Sequence, residues 1–227
     1  MNVFKTFAMV GLVGVGMVSS SQAVVSIAGE QVVAIPQISI QIPQQYALDN
    51  GLKTNNLVKS GTDVLCSYTG DVFIDIATIK ECTDFKTLRS FNGSGFANEI
   101  DVLTALFSLL KSHDNKKMSV LFHEYNKDKD ASINNYFDGV ESVTPVLMLN
   151  NIEGYDAVLL YKLIPLDTNR LHYISPLFLK KTNGVYLPIA GNLTKEKTPI
   201  ICYIFEKLNQ NHGNHNMDDF ISWVMTL

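Results

Sequence analysis

From residue 142 to residue 208 the chain is a succession of short apolar segments cut by turn signals, and this pattern most restricts its fold. Val143–Asn150, Asp156–Ile164, Leu171–Lys180, Gly184–Ile189 and Pro199–Leu208 have strand composition. Asn151-Ile152-Glu153-Gly154, Pro165–Asn169 and Asn183-Gly184 separate them. Asn-Gly is the strongest of these signals, because both central residues of a tight hairpin must accept a positive φ. These residues predict an antiparallel meander.

Helices are expected upstream. Ile100, Leu103, Leu106, Phe107 and Leu110 recur at three- and four-residue spacing, an apolar stripe along one helix face. Glu99 and Asp101 suit the start of that helix and Lys111 its end, as the macrodipole prefers. A second helix is expected from Asp114, with Met118, Leu121, Phe122 and Tyr125 as its buried side. Residues 24–44 read as extended, and Pro36 and Pro43 confine them to a sheet edge. Residues 45–61 read as a connector, and 62–80 as a hairpin turning at Tyr68-Thr69-Gly70. Met217–Leu227 is a final amphipathic stretch. Helices first and a meander afterwards predict an α+β class. The expected division is 1–23 as a signal peptide, 24–90 as an N-terminal extended or β-hairpin extension, and 91–227 as an α+β domain.

The division at residue 23 rests on Lys5 as the lone charge, the apolar stretch Phe7–Val18, and small residues in Ser21-Gln22-Ala23. That order is the anatomy of an export signal, of the bacterial kind, and it predicts a periplasmic or secreted protein starting at Val24. The apolar stretch is shorter than the ~20 residues a membrane-spanning helix needs. No second such run follows, so no membrane span is expected. Hydrophobic content of 46% and charged content of 18% place the rest among globular chains. A net charge of −4, with Arg89 and Arg170 as the sole arginines, argues against a nucleic-acid partner. In an oxidising compartment Cys66 and Cys82, nearest in sequence, form a candidate disulfide that would stabilise by ~3 kcal/mol in the chain-entropy model. Cys202 lies in the apolar run Ile200–Phe205 and reads as a buried small hydrophobe.

Two stretches carry a resemblance. Glu99–Tyr125, EIDVLTALFSLLKSHDNKKMSVLFHEY, is a helix, a Ser-His-Asp break and a second helix. Asp156–Leu187, DAVLLYKLIPLDTNRLHYISPLFLKKTNGVYL, is a set of strands with an Asn-Gly turn. Together they resemble the NTF2-like (SnoaL-like), cystatin-related superfamily at the level of pattern. The resemblance implies helices packed on a curved antiparallel sheet, with residues 24–90 as an addition. It also implies a pocket used for binding or, in some branches, for acid–base catalysis. No catalytic residue carries over.

His123 beside Glu124 can serve as a base at a pocket mouth, or as a surface cation at a helix end. Alternation puts Leu171, Tyr173, Ser175, Leu177 and Leu179 on one face, with Arg170, His172, Ile174 and Phe178 on the other. Tyr161 and Tyr173 can line a pocket or pack in a core. Asn126, Asp128, Asp130 and Ser132 have the oxygen spacing of a calcium loop, but Ala131 and Phe137 stand where Gly and Glu are needed. His212 and His215, followed by Asp218 and Asp219, form the only cluster of metal-ligand residue types, but two histidines three apart need a third ligand and second-shell support to hold zinc, and the Asn and Gly around them read as a connector. No metal or cofactor is expected, and no catalytic motif is present. The composite expectation is a binding or interaction module for a small ligand or protein partner, with His123, Tyr125, Tyr161 and Tyr173 as contacts. The alternatives are an enzyme using His123 or His172 as general base, and an assembly protein that donates its 24–44 strand to a neighbour.

Overall fold

The computed structural model describes residues 24–27, 30–52, 58–60, 63–74, 79–80, 95–113, 121, 137–170, 172–189 and 193–210. The strands are β1 (Val24–Ile27), β2 (Glu30–Pro43), β3 (Val58–Ser60), β4 (Asp63–Ile74), β5 (Val140–Ile152), β6 (Tyr155–Pro165), β7 (Tyr173–Thr182) and β8 (Val185–Pro188). The helices are α1 (Gln44–Asp49), α2 (Glu99–Ser112) and α3 (Pro199–Gln210). All eight strands join one antiparallel sheet in the order β1-β2-β4-β5-β6-β7-β8, with β3 also paired to β4.

This overturns the expected α+β arrangement of an N-terminal extension followed by helices on a curved sheet of NTF2-like form. Strand far outweighs helix, and the strands of 24–74 belong to the same sheet as the meander. The helices are divided between the two faces. α2 packs Val102, Leu103, Leu106 and Phe107 against Met148 and Leu159 of one face. α1 and α3 pack Ala47, Ile201, Ile204 and Leu208 against Leu147, Leu149 and Leu160 of the other. Burial on both sides explains why β5 and β6 read as nearly continuous apolar runs.

Three local readings also change. Residues 63–74 form one uninterrupted strand, and Gly70 faces Ile35 on β2 and Leu149 on β5 instead of turning. Gln44–Asp49, within the expected connector, is helical. Pro199–Gln210 is a helix and not the last strand. Its buried Ile200, Ile201, Ile204 and Leu208 follow helical spacing, and Pro199 suits a first helical position.

Among the described residues, Pro36, Pro145 and Pro176 each sit where the pairing to one neighbouring strand ends or is interrupted, so no ladder bond there needs the N–H they lack. Pro36 lies at a register break in β2, beyond the last residue that pairs with β1. Pro145 lies between the part of β5 that pairs with β4 and the isolated bridge from Ile79 to Val143. Pro176 lies on the part of β7 that β8 does not reach.

Two hairpins turn as the sequence implies. Asn183-Gly184 has φ of 51° and 80°, and Glu153-Gly154 has φ of 50° and 86°. α2 begins at Asn98, whose side chain accepts the Asp101 N–H at 2.8 Å, and ends at left-handed His113. Among the described residues no helix is long and apolar enough to cross a membrane.

Candidate ligand-binding site

Tyr161 and Tyr173 share the α2 face of the sheet, one strand apart and offset by two residues. Tyr161 is 3% exposed and its ring lies 6.4 Å from that of Phe137, so it is part of the core. Tyr173 is 41% exposed. Phe137, the last position of the calcium-like spacing, is wholly buried. His123, Tyr125, Cys82, residues 126–136, the His212–His215 cluster, the 217–227 stretch and residues 1–23, where a signal was expected, lie outside the described residues. Cys66 is a buried free thiol on β4, and burial pushes its pKa up. Cys202 is likewise buried, its Sγ 3.8 Å from the Thr198 hydroxyl.

The opposite face holds a more unusual group. Thr144 on β5, Lys162 on β6 and Ile174 on β7 stand in one cross-strand row. His172 lies two residues before Ile174, just ahead of β7, within electrostatic range of Lys162. The last turn of α3 is fastened beside it. Asn209 accepts the Ile174 N–H through Oδ1 at 3.0 Å, and its Nδ2 donates to the carbonyls of Ile174 and Phe205 at 3.3 and 2.9 Å.

His172 Nδ1 is buried and has no hydrogen-bond partner; the other such side-chain atom among the described residues is Thr194 Oγ1. Lys162 meets no acceptor among the described residues. Burial pushes the Lys162 ammonium below its ordinary range. Burial, and then the charge of Lys162, push the His172 imidazole down as well. Among the described residues the two nitrogen-bearing side chains meet no carboxylate. Sequence reasoning singled out His172 but missed Lys162. The available signal was a lone cation in the apolar run Val158–Ile164.

A second cluster lies on the α2 face, where Asp71, Glu99, Lys181 and Tyr186 come within electrostatic range of one another. Lys181 Nζ donates to the Tyr186 hydroxyl at 3.2 Å and sits 4.8 Å from its ring centroid. Burial raises the Asp71 carboxyl, opposed by Lys181. Burial also raises Glu99, with the negative charge of Asp71 adding to it. A carboxyl raised on folding stabilises below its ordinary range and loses that contribution as pH rises through the folded value. Asp71→Asn removes one member of the pair. It should raise Tm by a few degrees at neutral pH and flatten the decline of stability with rising pH. Thermal melts across the acidic-to-neutral range check this; a variant less stable than wild type throughout would refute it.

Among the described residues no three His, Cys, Asp or Glu side chains gather as a metal-binding group. No family model, no curated protein and no solved structure matches this chain.

Proposed function

We propose that the chain is an exported binding module that holds a small ligand at Lys162 and His172, on the face of the sheet covered by α3. The observation that carries this reading is the buried, unpartnered Nδ1 of His172, within electrostatic range of the half-buried Lys162. Leaving a buried polar atom unpaired costs ~1–3 kcal/mol, and native folds seldom keep such a group without a use for it. A ligand that completes these bonds recovers that cost on binding. Export is supported by the charge, apolar stretch and small residues of 1–23.

Thermal melts of the mature chain against a metabolite panel test the reading. A ligand present at a hundred times its Kd stabilises by ~2.7 kcal/mol, which is readily seen as a rise in Tm. The rise should vanish in His172→Phe. A panel that moves Tm nowhere, or a rise that survives in His172→Phe, would remove the support for this site.

One observation favours a second reading, in which His172 is a general base: its lowered pKa keeps it neutral, as a base must be. Against this, the charged neighbour acting on His172 is Lys162 and not a carboxylate that would orient the ring. Conversion of the compound that raises Tm would select this second reading.

A further inference from the structure

Resting on the binding reading above, we propose that the ligand presents an oxyanion, a carboxylate or phosphate group, to the Lys162–His172 pair. The lysine ammonium has three donors and no acceptor, and a neutral imidazole has one nitrogen of each kind. No Asp or Glu of the described residues is paired with either side chain. A cation would be repelled by Lys162. A neutral ligand would leave the half-buried Lys162 ammonium without a counter-charge. An oxyanion answers both groups, because its oxygens accept from the ammonium and from an imidazole N–H, and such charge-assisted bonds are the strong ones.

The geometry suits a small headgroup. Lys162 pairs with Ile174, and His172 lies two residues before Ile174, just ahead of β7, where the charge of Lys162 reaches it. Thr144 extends the row on the far side of Lys162 and adds a buried hydroxyl. The Asn209 amide is already committed to the Ile174 and Phe205 backbone, which leaves the ligand to the other three side chains. Anion binding would also favour the charged forms of Lys162 and His172, so the complex should take up protons from solution.

NMR of the mature chain with isotope-labelled histidine tests the proposal, the His172 signal being assigned by its absence in His172→Phe. Sodium acetate and inorganic phosphate are titrated at constant ionic strength, with acetamide and methylammonium chloride as controls. Saturable movement of the His172 resonances is expected with an anion and not with the controls, and the tighter of the two anions names the headgroup. Lys162→Met should weaken that binding by about tenfold or more while keeping the fold, since it removes an uncompensated charge. Lys162→Gln serves as the second variant if Lys162→Met fails to fold. Anion binding undiminished in the lysine variant would overturn the assignment to this pair. Saturation by acetamide alone would overturn the anion class while leaving a ligand site in place. Silence of His172 toward all four probes would overturn the inference, and the metabolite melts decide separately whether the site binds anything else.

Discussion

Gly70→Ala is expected to destabilise the protein by ~3 kcal/mol or more, the upper range for a single overpacking change. A methyl group at this position would land on the carbonyl oxygen of Met148 and come within 2.9 Å of Ile38 Cδ1. The isoleucine can rotate away, but the carbonyl cannot. Met148 lies in the short ladder that pairs Thr69–Val72 with Leu147–Asn150, and this ladder joins β1–β4 to β5–β8. Relieving the clash therefore means opening the middle of the sheet. Urea denaturation gives the magnitude, and amide exchange along β4 and β5 locates the damage. Gly139→Ala is the control, because its nearest new neighbour is Arg170 Nη1 at 3.7 Å. Equal stability of the Gly70 and Gly139 variants would show that the backbones do not approach as described.

The second large effect is expected at Glu153, in the β5–β6 turn. Its two carboxylate oxygens accept the N–H groups of Ile200 at 2.7 Å and Ile201 at 3.0 Å. Those donors belong to the first turn of α3 and have no partner within the helix. Burial raises the Glu153 carboxyl, and the two hydrogen bonds counter that rise without cancelling it. Glu153 also holds φ at 50°, where a side chain of this kind is uncommon. The positive φ places the side chain at the turn where it reaches the two N–H groups at the helix start. Glu153→Ala should cost about 2 kcal/mol, through loss of the cap and two orphaned donors. Glu153→Gln keeps an acceptor without the buried charge and should stay within ~1 kcal/mol of wild type. Glu153→Asn separates the two terms, since Asn tolerates positive φ but is one methylene shorter than Gln. An Asn variant as stable as wild type in urea would mean that the cap contributes no more than the strain its loss relieves.

Much of the meander was legible because its cues are local. Asn183-Gly184 and Glu153-Gly154 carry turn chemistry in their own residues, and the α2 stripe repeats within a single element. The errors arose where a partner distant in sequence decides the outcome. Ile200, Ile201 and Ile204 favour a strand by composition, yet Pro199 at the first helical position and the carboxylate of Glu153 set a helix there. Gly70 looked like a turn residue in Tyr68-Thr69-Gly70, whereas its service is to let two backbones approach. The site divides in the same way. Alternation separated Ile174 and Phe178 from Leu177 and Leu179, and the sheet buries the two sets in different clusters on its two faces. That His172 Nδ1 would lack a partner depended on Thr144, Lys162 and Asn209, three residues from three different elements.

The placement of prolines has a consequence for how copies of this molecule meet. A sheet of this length would ordinarily expose two ladders of unpaired backbone groups, each able to recruit another chain. On one side, among the described residues, the outer edge of β2 beyond β1 is broken at Pro36, displaced in register there, and ended at Pro43. On the other side β8 is short, and Phe96 bridges its outer edge at Tyr186. Neither border presents a long, regular template for fibre growth, so concentrated solutions of the folded chain should resist end-to-end polymerisation even though most of the fold is strand.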